Sequence, residues 1–316
     1  MLTRGFHLAD NTQTEFKPPK GVSLWQDGFR RLFRRPIAVI CFAVIIFYFA
    51  LAAFIYLAEI FHWQIGFTLW SQATGPSYQP PCRENIFGTD IFGFSVFRRM
   101  LYGAKTSITV ALCASIISIG IGVPLGAVAG YFRGIVDEII VWAYSTLSSI
   151  PYILLIMAFA VVLHDKTIAG FKLSGITSVY LAIGLTSWVD LCRLIRGETI
   201  KHKEREYILA AQSYGCTNSR IIFKHLLPNV FHIVIIIFSL QFVSFIHAEI
   251  ILSFLGLGEA DKPSWGAMIN DARIELARGV WWQMVAATVA VFVISLALNV
   301  FGDALRDSLD PKLRVR

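Results

Sequence analysis

The chain has 316 residues, 56% hydrophobic and 16% charged, with a net charge of +7. A soluble domain carries roughly 25% charged residues, so this composition excludes an ordinary water-soluble globule. The basic excess flanks apolar segments, which marks it as a membrane-topology signal and not as a nucleic-acid patch.

A bilayer core about 30 Å thick needs about 20 apolar residues per helical crossing. Six stretches approach or exceed that length: 37–58, 107–132, 139–163, 173–189, 226–248 and 279–302, the fourth being the shortest. None contains Asp, Glu, Lys or Arg. Lipid cannot satisfy bare backbone groups, and barrel strands alternate polar with apolar residues, so continuous apolar runs of this length predict helices. The expected fold is therefore an all-α membrane protein with six transmembrane helices. With the N-terminus inside, loops 1–36, 133–138, 190–225 and 303–316 carry 19 Lys and Arg residues, against 9 in loops 59–106, 164–172 and 249–278. That asymmetry predicts that both termini are cytoplasmic.

Residues 1–36 form the first inside segment. Within it, 24–35 predict a basic amphipathic surface helix, with Trp25, Phe29, Leu32 and Phe33 on one side. The first apolar run follows "RRLFRRP" and is long enough to span, so it reads as a crossing and not as a cleaved signal. Segment 59–106 is the longest outside stretch, turn-rich at "GPSYQPP" and sized to fold over a pore mouth. Near its end, Ile91, Phe92, Val96, Phe97, Met100 and Leu101 predict one stripe of a surface helix.

The second span has small residues every four positions, at Ala114, Ser118, Gly122, Gly126 and Gly130. They lie along one helix face and admit a close neighbour, either inside the chain or on a moving partner. Pro124 sits in this run and should kink it unless neighbours re-satisfy the backbone. Asp190, Glu249 and Asp303 fall at span ends, while His232 and His247 lie in the fifth span. No carboxylate stands at mid-membrane, which argues against ion-coupled carriage. Five cysteines (Cys41, Cys82, Cys113, Cys192, Cys216) form no CxxC pair. The sequence "GxxxxGK[ST]", HExxH, GxSxG and metal-ligand spacings are all missing. No catalytic residue, metal or cofactor is therefore expected in this chain. Ser148, Ser149, Ser187 and Gln241 are the polar residues picked as lining of a path, each equally explicable as a helix–helix hydrogen bond.

The wettest stretch between spans is "REYILAAQSYGCTNSRIIFKHLLPN", residues 205–229. Tyr207, Ala210, Ala211 and Tyr214 recur at helical spacing and predict one face with aromatic rims and a small-residue floor, shaped to enter a groove. Gly215 is suited to ending that helix. Thr217, Asn218 or Ser219 would cap a second helix that runs to Pro228, where the fifth span begins or kinks. The alternatives for this loop are a docking element and an ordinary packed connection.

This stretch resembles the EAA loop of binding-protein-dependent ABC importer permeases. The family pattern is Glu-Ala-Ala, three residues, Gly, nine residues, an apolar position, one residue, then Leu-Pro. Here it reads Leu209-Ala210-Ala211, Gly215, His225 and Leu227-Pro228. Leu209 stands where the pattern has Glu; Glu206 is counted with the loop set but is taken to lie off that face. "FGTDIFGFSVFRRMLYGAKTSI", "IGVPLGAVAGYFRGIVDEII", "HAEIILSFLGLGEADKPSWGAMINDAR" and "FGDALRDSLDPKLR" resemble the dipeptide/oligopeptide C-subunit branch. That branch normally has Arg and Asp where Phe94 and Ser95 stand.

The resemblance implies a type I importer permease fold. The first helix (37–58) would precede a permease core over 107–302 with a coupling loop at 193–228, and 303–316 would be a cytoplasmic tail. It also implies a second homologous permease, two cytoplasmic ATPases that hold ATP and Mg, and an extracytoplasmic solute-binding protein meeting 59–106 and 256–278. ATPase docking is carried over to Glu206, Tyr207, Leu209, Ala210, Ala211, Tyr214, Gly215, His225, Leu227 and Pro228. Peptide is the implied cargo, with nickel chelate, glutathione or a modified peptide as alternatives within the family. A stand-alone carrier and a membrane scaffold are the alternatives outside it.

Overall fold

The first apolar run folds as α1, Pro36–Ile60, opened by a proline at its first turn, where a missing N–H costs no helical bond. Its 25 residues rise about 37 Å, enough to cross a bilayer core. Ile37, Ile40, Ile46 and Phe47 stand exposed along it, as expected of a surface solvated by lipid. The computed structural model describes residues 30, 32–63, 66, 68–164, 166–168, 170–173, 175–259 and 261–309. Most of the amphipathic helix expected over 24–35 lies outside the described residues. Leu32, which is described, is buried against Ala38, Ala304 and Leu305.

Helix α2 spans Val96–Phe132, eleven residues earlier in its start than the apolar window. Val96 to Leu101 belong to this long helix and not to a separate surface helix. Ile91 and Phe92 lie in a turn before it, where the Asp90 carboxylate accepts from Phe92 N–H (2.9 Å) and Phe94 N–H (2.8 Å). The early start is possible because its charges are paired inside the protein. Arg99 meets Asp90 at 2.6 Å and Asp271 at 3.1 Å, and Lys105 and Tyr102 both hydrogen-bond Glu59 of α1. The expected kink at Pro124 does not interrupt α2, which remains helical through it.

The third apolar run is broken. Helices α3, Gly134–Ser148, and α4, Tyr152–Leu163, meet at 93° across Ser149, Ile150 and Pro151. A two-residue ribbon, Thr167–Ile168 with Phe171–Lys172, follows. The fourth run is not short. Helices α5, Gly175–Thr186, and α6, Trp188–Lys203, join into one 29-residue span. The charges beyond Val189 had excluded this stretch from the apolar window. Most of them lie beyond the apolar part of the span, where Asp190, Arg193 and Lys201 are exposed, and Arg196 is paired with Asp137 of α3 at 2.5 and 2.7 Å. Asp190, expected at a span end, lies inside this continuous helix, close to the end of its apolar part.

Helix α7, Glu206–Ser213, the short α8, Asn218–Arg220, a π-turn at Ile221–Leu226 and α9, Leu227–Phe254, come next. Helix α10, Trp265–Leu276, and α11, Trp282–Leu309, close the chain. Residues 303–309, expected in a tail, prolong α11, and Arg35 pairs with Asp307 there at 2.9 Å. Among the described residues five helices are long and apolar enough to cross a membrane, and six if the bent pair counts as one broken span.

Contacts assign the two ends of the bundle. Glu59, Lys105 and Lys262 cluster at one end, and Tyr131, Lys203 and Asn218 meet at the other. At the first end Glu275 is 5% exposed and its Oε2 has no hydrogen-bond partner among the described residues. Burial, then the carboxylates of Asp90 and Asp271, push its carboxyl above the ordinary 4.5. The folded state thus holds this proton more tightly than the unfolded chain. Stability is lost as pH rises from 4.5 through the raised folded value. Glu275→Gln removes that loss. Its melting temperature should match the wild type below pH 4.5 and exceed it increasingly above, as read by thermal unfolding in detergent.

Candidate functional site

At the second end, the loop after α6 is built as a rigid projection. Arg205 is extended and α7 begins at Glu206. The helix ends because Gly215 takes φ +75°, a conformation that residues with a Cβ adopt only at a cost. Gly215 N–H then donates to Gln212 O at 2.9 Å and Cys216 N–H to Ala211 O at 3.1 Å. This is the paired bonding of a Schellman end, and it satisfies carbonyls the helix would leave bare.

One side of α7 is fastened to the bundle. Ile208 is fully buried and Ala211 is buried beside it, against Ala127, Tyr131, Leu191, Ile195 and Ile221. Tyr207 is half-buried with its hydroxyl 2.9 Å from His202 Nδ1. The other side is free: Glu206, Leu209, Ala210, Ser213 and Tyr214 are exposed, and Tyr214 is 87% exposed.

The sequence had placed Tyr207, Ala210, Ala211 and Tyr214 on one outward face. At 3.6 residues per turn they cover an arc of about 100°, and the boundary between core and solvent runs through that arc. Tyr207 and Ala211 turn inward, while Ala210 and Tyr214 turn outward. Glu206, read as lying off the face of Leu209, shares the outward side with Leu209 and Ala210 at the i, i+3, i+4 spacing. The signal that would have found the inner side is Ile208 with Ala211, an apolar pair one turn apart.

Beyond Gly215, Thr217 is the N-cap residue without a side-chain capping bond, and Asn218 Oδ1 accepts from Tyr131 OH at 3.0 Å. The second helix is not separate from the fifth span. Residues 218–254 form one helical segment of 37 residues. Pro228 lacks the N–H an α-helix would donate to Lys224, and the turn before it is wound as a π-helix. His225 is half-buried, Leu227 packs against the inner core of the loop, and Pro228 is exposed.

The projection hangs from a close helix pair. A Cβ built on Gly122 would stand 2.8 Å from Trp188 O, on Gly126 2.5 Å from Cys192 O, and on Gly130 2.6 Å from Arg196 O. The small-residue face of α2 thus lies against the backbone of α6 within this chain. Ala114 and Ser118 continue it, both fully buried. Lys203, at the end of α6, donates to Tyr131 O at 2.7 Å near the end of α2.

A second feature lies midway along the bundle. The break at Ser149–Pro151, the joint at Ser187 and the middle of α9 border an open cavity of about 760 Å³. Ser148, Ser149, Ser187 and Gln241 all line it, with Tyr152, Thr186, Asp190, Arg193 and Ser244. Tyr152 OH and Ser187 Oγ are 3.0 Å apart, and Gln241 Nε2 stands 3.5 Å from Ser187 O. Asp190, Arg193 and Tyr152 were not picked from sequence as lining residues. The two charges looked like loop residues, and the break that turns Tyr152 inward was not visible as a break. Non-helical backbone at such depth is tolerated where it lines a water-filled space.

A bundle of membrane-length helices, with a polar cavity open at its side and a capped short helix fixed at one end, defines the class: a multi-pass membrane permease. The comparisons place it further. Residues 122–315 match the family of binding-protein-dependent transport system inner membrane components, and residues 23–81 match the N-terminal transmembrane domain of oligopeptide transport permease C. The chain belongs to this family and is a permease subunit of an ABC importer in a bacterial inner membrane.

It is 34% identical over 305 residues to the dipeptide transport system permease protein DppC of Bacillus subtilis, covering 96% of this chain and 91% of the relative. It is 35% identical over 301 residues to the oligopeptide transport system permease protein OppC of Haemophilus influenzae, covering 93% and 91%. It is also 32% identical over 305 residues to the glutathione transport system permease protein GsiD of Escherichia coli O6:K15:H31, covering 96% of each. The fold is similar to a chain of the MetNI methionine ABC transporter in an inward-facing conformation, at a TM-score of 0.54 and 15% identity over 66% of this chain and 96% of that one. That likeness bears out the type I importer permease fold.

Proposed function

We propose that the chain carries di- or oligopeptides inward as one half of a two-permease path, with α7 docked in a groove of a cytoplasmic ATPase. The observation that carries the reading is the division of α7 itself. Ile208 and Ala211 weld it to the bundle, while Glu206, Leu209, Ala210, Ser213 and Tyr214 are left exposed on a capped helix. A rigid helix so held passes the motion of a partner directly to α6 and α9, whose cavity-lining residues Ser187 and Gln241 move with them. In this arrangement both termini are cytoplasmic, ATP and Mg reside on two partner ATPases, and an extracytoplasmic binding protein delivers cargo to the Glu59 end. Gly215 sets the angle of the projection, and His225, Leu227 and Pro228 join it to α9.

Peptide cargo is supported by the dipeptide and oligopeptide relatives, which match over nearly the whole chain. Proteoliposomes holding this chain, a sister permease and two ATPases should accumulate labelled dipeptide only with ATP and binding protein present. Accumulation of glutathione but not dipeptide in the same vesicles would change the cargo and leave the docking intact. Equal accumulation without ATP would overturn the reading.

A further inference from the structure

The mid-bundle cavity holds two charged side chains that docking does not use. Asp190 and Arg193 both line it, one at the end of the apolar part of the 29-residue helical span and one just beyond it. Charges bordering an apolar span are costly unless they meet water, a partner or cargo. They stand three residues apart on one helix, close enough to pair, yet no ion pair joins them. Asp190 is exposed and has no hydrogen bond or ion pair among the described residues. Arg193 donates to Ser148 Oγ at 3.2 Å and lies 5.2 Å over the Tyr144 ring, so most of its five donors stay unspent. Opposite them lie the Tyr152 hydroxyl and the Gln241 amide. A lone anion in this cavity would leave Asp190 unmatched, and a lone cation would leave Arg193 unmatched. A zwitterion matches both.

We propose that Asp190 and Arg193 hold the two ends of a zwitterionic peptide in transit, the carboxylate of Asp190 accepting from its ammonium and the guanidinium of Arg193 donating to its carboxylate. The inference rests on the peptide reading above. The cavity's volume of about 760 Å³ is within the usual range for small-ligand sites, about 300–1,000 Å³. Tyr152 and Gln241 add neutral polar contacts that suit peptide amides.

The test uses the complete complex in proteoliposomes. Asp190→Asn and Arg193→Gln should each lower the initial rate of dialanine uptake by at least about tenfold, the cost of a hydrogen bond to a charged group. Complex assembly and ATPase stimulation by the binding protein should persist. In wild-type complex, a dipeptide bearing benzoylphenylalanine should photolabel the 187–193 segment, dialanine should compete, and Arg193→Gln should lose the label. Wild-type import in both variants, an unlabelled segment, or loss of assembly in both variants would overturn the proposal, the last because the charges would then pair with the sister permease. A wild-type complex that imports no dipeptide sinks the peptide reading and this inference with it. Dipeptide import by the wild type and both variants alike sinks the inference alone.

Discussion

Tyr214→Ala is expected to abolish most transport without disturbing the fold. The ring is 87% exposed, so its removal opens no cavity in this chain. On an ATPase groove it would be the largest side chain at the contact. Buried aromatic anchors of interfaces commonly lose about 2 kcal/mol or more on truncation, about 30-fold in affinity. The expected outcome is a complex that dissociates in detergent, ATP-driven uptake at least about tenfold below wild type, and an unchanged melting temperature of the isolated chain. Wild-type uptake would remove Tyr214 from the docking face.

Gly126→Leu should act in the opposite way, through the fold. A Cβ there meets Cys192 O at 2.5 Å and Ile195 Cβ at 3.0 Å, backbone and core atoms that cannot swing aside. The whole α2–α6 pair would have to separate. Overpacking of this kind costs about 1–3 kcal/mol or more, and the α7 projection would lose its footing. The variant should give little monodisperse protein in detergent, a lowered melting temperature and no uptake. Gly120→Leu on the same helix is the control, because nothing lies within 4 Å of its Cβ. Equal stability of the two variants would show that the close face of α2 bears no load.

The contrast between these two substitutions shows what was legible in the chain and what was not. The small-residue spacing from Ala114 to Gly130 stated that something approaches closely, but spacing alone cannot say whether that neighbour is internal or foreign. The structure supplies it from α6, at Trp188, Leu191, Cys192, Ile195, Arg196 and Thr199. Gly215 was readable because a left-handed helix end has a near-unique residue preference. The outward face of α7 was only half readable, since periodicity defines a face but not which way it points. Tyr207 and Ala211 point home because Ile208, between them, is the residue with the most to gain from burial.

The span limits failed for a different reason. A window free of charge marks residues that lipid tolerates, whereas α6 and the start of α2 are solvated largely by protein. Arg99, Lys105 and Arg196 sit inside helices there because Asp90, Glu59 and Asp137 come from elsewhere in the chain to meet them. Such partners lie up to 59 residues away along the chain, beyond the reach of any local pattern. The same limit hid Asp190 and Arg193. Ser148, Ser149, Ser187 and Gln241, chosen as isolated polar residues, gather around one cavity only once two helix breaks are brought together.

The central claim is that the free face of α7 touches a nucleotide-hydrolysing partner. Benzoylphenylalanine placed at Ala210, which is exposed on that face, should on irradiation of native membranes form a single adduct with an ATPase subunit. The same probe at Gly120, within the membrane span, should not. An Ala210 probe that captures no ATPase while uptake remains active would contradict the account.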